Sequence, residues 1–224
     1  MGPPSLEPSE HNTTHAGRPN VLAGQLFPPP SRQERSRRKR EALLMSALAL
    51  FGEHGYEATS IEEIARRAGV AVGGFYQHFA SKQQVLLVLM DLFLAEAAEL
   101  TEPASRSEPL STQEIIAGFV RQGLGIDWSY AGAYRAWREV IARDGALRTL
   151  NQHIESWVAG QLELLIHALL QTPGARRDVD IPTFSWVLSM LFWRLTESPV
   201  EHSDAVITSV TSLIYHGLFT DHPE

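Results

Sequence analysis

The chain has 224 residues, 44% of them apolar, which is enough to fill one large or two small cores, and it contains no cysteine. Disulfide scaffolds, thiolate metal centres and cysteine nucleophiles are thereby excluded. The formal charge of −7 is uneven: residues 31–82 carry nine Lys/Arg against six Asp/Glu, residues 83–224 nine against eighteen, so a polyanion is expected at the N-terminal end and repelled elsewhere.

Residues 1–33 hold seven of the thirteen prolines and no periodic apolar residues, which predicts a disordered tail with neither a secretory leader nor a membrane anchor. No apolar run approaches the roughly 20 residues that span a bilayer, so the expectation is a soluble, cytoplasmic protein without a membrane partner. A helix begins within Arg32–Arg40. Leu44, Ala47, Leu48 and Phe51 recur along it at three- and four-residue spacing, and Gly55 ends it. Ser60 with Glu63 spells a capping box that opens a short second helix at Ile61, carrying Ile64, Ala65 and Ala68 inward as far as Gly69. A third short helix runs through Phe75, Tyr76 and Phe79. Ser81 with Gln84 spells another box, opening a long fourth helix through Val85, Leu86, Leu89, Phe93 and Ala97. Beyond a Pro103–Pro109 loop, helices are expected at 111–126, where Ser111 pairs with Glu114, then at 130–143, 147–170, 182–196 with Pro182 in its first turn, and 203–219 after Pro199. No alternating strand pattern and no fixed-period repeat occurs, so the expected fold is all-α.

Two short helices joined by Ala68-Gly69-Val70 form a helix-turn-helix pattern. The second begins with the small residues Ala71, Val72, Gly73 and Gly74, which let its N-terminus approach a major groove closely. Thr59, Ser60, the Tyr76 hydroxyl and Lys82 surround it as candidate phosphate anchors, and the basic run that includes Arg37, Arg38 and Arg40 extends that surface. Gln77 suits adenine, Val72 a thymine methyl, and His78 borders the same face.

Taken together, the segment "LALFGEHGY" at 48–56, Thr59-Ser60, "IARRAGVAVGGFYQHF" at 64–79 and Ser81-Lys82 resemble the tetracycline-repressor (TetR) family of regulators. That resemblance implies that Tyr76 and Lys82 grip phosphates and that the Val72–Gln77 face meets the bases of double-stranded operator DNA. Ala71 stands where the family usually has a capping hydroxyl residue, and Gly74 where it often has a phosphate-contacting one, so a loosely formed recognition helix is expected. The implied architecture is a three-helix DNA-binding domain at 34–80, joined through the long fourth helix to a helical ligand-binding and dimerisation domain at 81–220.

Phe119, Tyr134, Trp137, Arg138, Trp157, Gln161 and Phe184 are the candidate pocket residues for a planar apolar effector, with Tyr134 and Trp137 stacking and Arg138 or Gln161 orienting a polar substituent. The last two helices carry more apolar faces than one chain can bury, which predicts a homodimer. No catalytic motif, cofactor fingerprint or paired metal-ligand spacing is present, so no enzyme, cofactor or metal site is expected. An activator, an effector-independent regulator or a helical protein–protein module are the alternatives to a ligand-released repressor.

Overall fold

The computed structural model describes residues 17–28, 33–100, 111–196 and 203–220, which form nine α-helices and one isolated antiparallel bridge, Ala175 to Phe219. The helices are α1 (Glu34–His54), α2 (Ile61–Arg67), α3 (Val72–Phe75), α4 (Lys82–Glu99), α5 (Thr112–Ser129), α6 (Ala131–Ile141), α7 (Gly145–Leu169), α8 (Ile181–Leu195) and α9 (Ser203–Leu218). Among the described residues no helix is long and apolar enough to cross a membrane.

Several local signals act as their chemistry dictates. Ser60 accepts from the Glu63 N–H while the Glu63 carboxylate receives the Ser60 N–H, closing both halves of the box, and Ser111 with Glu114 does the same. The box at Ser81 closes only halfway. Gln84 donates its backbone N–H to the Ser81 hydroxyl, but its side-chain oxygen takes the Ala80 N–H and its amide nitrogen donates to the Leu26 carbonyl. Asp180, which sequence reading passed over, caps α8 by accepting from the Thr183 N–H.

The chain divides into two compact units. The first holds α1 to α3, α4 as far as Ala95, all of α6, and α7 as far as Gln152. Its core includes Leu43, Leu44, Phe51, Ile64, Phe75, Phe79 and Leu86, with Trp137 and Tyr130 of the α6 region fully buried beside them. The second holds the rest of α4 and α7 together with α5, α8 and α9, packed around Val120, Leu124, Ile166, Leu188, Phe192 and Ile214. This division follows a different line from the 34–80 and 81–220 segments read from the sequence, because α6 packs on α1 and joins the core of α1 to α3.

The expectation of a disordered tail over 1–33 is corrected for residues 17–28; residues 1–16 and 29–32 lie outside the described part. Val21 is almost fully buried. Arg18 reaches α4, where its guanidinium donates to both the backbone carbonyl and the carboxylate of Asp91, at 2.9 and 3.0 Å. Burial pushes the Asp91 carboxyl up, and Arg18 opposes that shift by favouring the ionised form. Proline richness marks poor helix-forming capacity; it does not prevent an extended segment from lying on a helix. Removing residues 1–28 therefore lowers stability by about 2 kcal/mol through the lost Val21 burial and the unpaired Asp91, a fall in Tm of about 4 to 8 °C. An unchanged melting curve in the truncated protein would show that the segment contributes nothing.

Candidate nucleic-acid interface

Within the first unit, α2 and α3 are joined by a turn in which Gly69 has φ +65°, a left-handed conformation that favours glycine. The Val70 N–H reaches back to the Ala65 carbonyl and closes the turn. α3 spans four residues, and its N-cap Ala71 supplies no side-chain bond, as its chemistry requires. Phe75 anchors this short element by full burial against Phe79, with ring centroids 5.8 Å apart. The opposite face points outward: Val72 is 37% and Tyr76 51% exposed, and Gly73 and Gln77 are exposed beside them. A side chain at Gly73 would enter open space. Gly74 is different, because a Cβ there would lie 2.7 Å from the Val70 Cγ1, so this glycine serves packing within the turn.

Three candidate anchors have other work. The Thr59 hydroxyl is buried and donates to the Gly55 carbonyl at 2.7 Å, which removes it from the phosphate-contact role expected of it. Ser60 is engaged in its capping box. The Lys82 ammonium donates to the carbonyls of Tyr56 at 2.6 Å, Thr59 at 2.9 Å and Glu57 at 3.4 Å, and sits 4.3 Å from the Tyr56 ring centroid. All three acceptors lie in the loop between α1 and α2, so without DNA the ammonium acts as an internal clamp. Desolvation, and secondarily Glu57, push the Tyr56 phenol up to about 12, so it stays neutral under the cation.

Cations along the first half of α1 complete the surface. Arg37 and Arg38 both pair with Glu34, Arg38 at 3.0 Å, and these exposed pairs hold their heads loosely. Arg40 lies over the buried Phe79 ring, 5.1 Å from its centroid, which ties the basic start of α1 to the end of the recognition segment. His78 sits where desolvation, then Arg40, then Lys39 hold its imidazole below the ordinary value of 6.5. Lys39 and Arg40 of α1 thus stand close enough to His78 to disfavour its charged form. The residue that sequence reading missed is Glu139 of α6. Its carboxylate accepts the N–H groups of Tyr56 at 2.9 Å and Glu57 at 3.1 Å and so fixes the same loop that Lys82 holds. Only its distance in sequence concealed it.

The residues expected to form one ligand pocket are divided between the two units. Tyr134 packs on Phe93 at 4.8 Å, and Trp137 is buried with its indole N–H on Asn151 at 2.8 Å, both as core of the first unit, while Arg138 is exposed. In the second unit, Phe119 packs against Phe192, Phe184 abuts Gly217, Trp157 is buried, and Gln161 is half-buried on α7. Tyr134 and Trp137 are removed as stacking faces because their rings are used by the core.

Among the described residues, which are almost wholly helical, α2, the Gly69 turn and α3 with its exposed face have the form of a helix-turn-helix. The family comparison points the same way: residues 43–89 match the model described as bacterial regulatory proteins, tetR family. The chain is 36% identical over 85 residues to the Transposon Tn10 TetC protein of Escherichia coli, covering 35% of this chain and 43% of that protein. It is 30% identical over 126 residues to the HTH-type transcriptional regulator HbdR of Aromatoleum sp. (strain CIB), covering 52% of this chain and 55% of that one, so the matches span about half of these relatives. In fold it resembles a gamma-butyrolactone receptor (ArpA-like protein), with a TM-score of 0.65, 18% identity, and 84% and 91% of the two chains covered.

The clamp reading has a direct consequence. Lys82→Met lowers stability by about 2 kcal/mol, since a charged donor to buried carbonyls contributes about 1.5 to 3, and it leaves the salt dependence of duplex binding unaltered. A variant with unchanged Tm and a salt slope smaller by about 0.9 would restore Lys82 to the phosphate backbone.

Proposed function

We propose that this chain is a homodimeric transcriptional repressor that reads a palindromic operator through α3 and is released by a small apolar effector held in its second unit. The observation that carries the DNA reading is the outward face of α3, with Val72, Gly73, Tyr76 and Gln77 exposed while Phe75 locks the element to the core. In this reading Lys39 and Arg40, beside His78 at the end of that segment, take a phosphate. In this reading Val72 and Gln77 contact bases, and Tyr76 with the basic run holds the backbone.

The dimer reading rests on α8 and α9. Trp186 is 57%, Val187 48% and Met190 52% exposed along one side of α8, and Leu213 on α9 is 55% exposed. Apolar side chains this large and this close in helical register are the signature of a face that a second copy covers. Release follows if the effector prefers a conformation of the protein that the operator does not.

The experiment is titration of the protein with duplexes from the DNA flanking its own coding region, over a range of salt and pH. Binding to one palindrome with a steep salt slope is expected, and Met190→Asp should yield a monomer with weakened operator affinity. His78 supplies the pH dependence. Free, its pKa lies below 6.5; a phosphate beside Lys39 and Arg40 raises it, so the complex takes up a proton and affinity strengthens as pH falls through that window. His78→Gln flattens the profile. Salt-independent binding, or none to any flanking duplex, would contradict the DNA reading.

A further inference from the structure

Every residue of α4 from Gln84 to Met90 is buried. A run of that length presents all sides of a helix, so each side has a cover. Gln84, Leu87, Val88 and Asp91 share one side, and the segment 17–28 reaches both of its ends. At one end the Arg18 guanidinium donates to the Asp91 carbonyl and carboxylate; at the other the Leu26 carbonyl accepts from the Gln84 amide at 2.9 Å, and Val21 is buried between these points in the sequence. Gln84 also faces the recognition segment. Its Oε1 accepts the Ala80 N–H at 2.8 Å, and its own backbone N–H donates to the Ser81 hydroxyl. Ala80 directly follows Phe79, whose N–H donates to the Phe75 carbonyl at 3.0 Å. A carboxamide bonded at both its oxygen and its nitrogen has a fixed orientation, so one side chain ties residues 17–28 to the end of the DNA-facing element.

We propose that residues 17–28 are a strap that positions the recognition segment from outside the helix-turn-helix, with Gln84 as the positioning residue, so that release of the strap weakens operator binding without any contact between strap and DNA. The inference rests on the DNA reading above and adds a control point to it. When the Leu26 carbonyl leaves, the Gln84 amide is free to turn and the Ala80 N–H loses its fixed acceptor. The joint between α3 and α4 then loosens, and the segment through Phe79 samples orientations that do not fit a groove. Affinity falls with the fraction of molecules that keep the docked orientation. The strap is held on α4 by a part-buried ion pair, one side-chain bond to a carbonyl and the burial of Val21, so it opens at lower cost than the helices it covers.

The test uses the full-length protein carrying Val21→Ser, Arg18→Ala or Asp91→Ala, well below the melting temperature of the weakest variant. Amide exchange should show Phe79 and Ala80 losing protection by about tenfold in each, while Leu48 in α1 and Ile64 in α2 keep theirs. On the flanking duplex that binds the wild type, all three variants should weaken affinity by about tenfold and leave its salt slope unchanged. Arg18→Ala and Asp91→Ala separate positioning from direct contact. If Arg18 instead gripped a phosphate, Asp91→Ala would free it and keep or raise affinity, and Arg18→Ala would reduce the slope by about 0.9; either result overturns the proposal. Wild-type protection and affinity in Val21→Ser would overturn it, as would an equal loss of protection across the whole first unit. The two readings fail separately. If the wild type binds a duplex and the variants bind it equally well, the DNA reading stands and the strap falls; if the wild type binds no flanking duplex, the DNA reading falls and this inference with it.

Discussion

Gly52 and Gly132 allow α1 and α6 to touch backbone to backbone, and the geometry of the helix-turn-helix depends on that contact. A Cβ at Gly132 would collide with the Leu48 carbonyl oxygen, and one at Gly52 would lie 3.5 Å from the Gly132 Cα. At such close approach the two helices can exchange polar groups as well as apolar surface. Arg135 of α6 donates to the Gly52 carbonyl near the end of α1 at 2.7 Å, and Glu139, one turn on, receives the Tyr56 and Glu57 N–H groups of the loop that follows. Backbone groups left over at a helix end are normally satisfied by water or by a local cap. Here a distant helix satisfies them, so the loop cannot move without α6.

The same loop is held from the opposite side in hydrogen-bond sense. Lys82, the first residue of α4, gathers the carbonyls of residues 56, 57 and 59, while Glu139 gathers the amides of 56 and 57. An exposed Arg143–Glu57 pair at 2.9 Å adds little beside these charge-assisted bonds. The loop leads directly into Ser60 and the capping box of α2, and α2 sets the turn that aims α3. The direction of the recognition face is therefore decided at residues 55–60, a short segment that makes no claim on DNA itself. A four-residue α3 without a cap has little stability of its own, and the fixed loop with the buried Phe75 and Phe79 supplies what propensity does not.

Sequence reading located the helix-turn-helix because its signals are local: the Ser60 and Glu63 box, Gly69 at the turn, and an apolar stripe at helical spacing. It did not show that Thr59 and Lys82 bond backbone carbonyls, since a hydroxyl and an ammonium beside a helix-turn-helix look alike whether their partner is a phosphate or a carbonyl. It lost residues 17–28 to composition, because Arg18 and Asp91 lie 73 positions apart and no local pattern joins them. Tyr134 and Trp137 share an apolar helix face in either role; only the positions of Phe93 and Asn151 show that their rings are core. Gly52, in the last turn of α1, and Gly132, the second residue of α6, gave no signal of their contact, because a glycine near a helix end needs no tertiary reason.

The most direct measurement of this dependence is amide hydrogen exchange at Tyr56 and Glu57 in wild type and Glu139→Ala. If the α6 carboxylate fixes the loop, both amides lose protection by about tenfold or more in the variant, while Leu48 and Phe51 within α1 keep theirs. Unchanged protection at Tyr56 and Glu57, or an equal loss across the whole unit, would contradict the account.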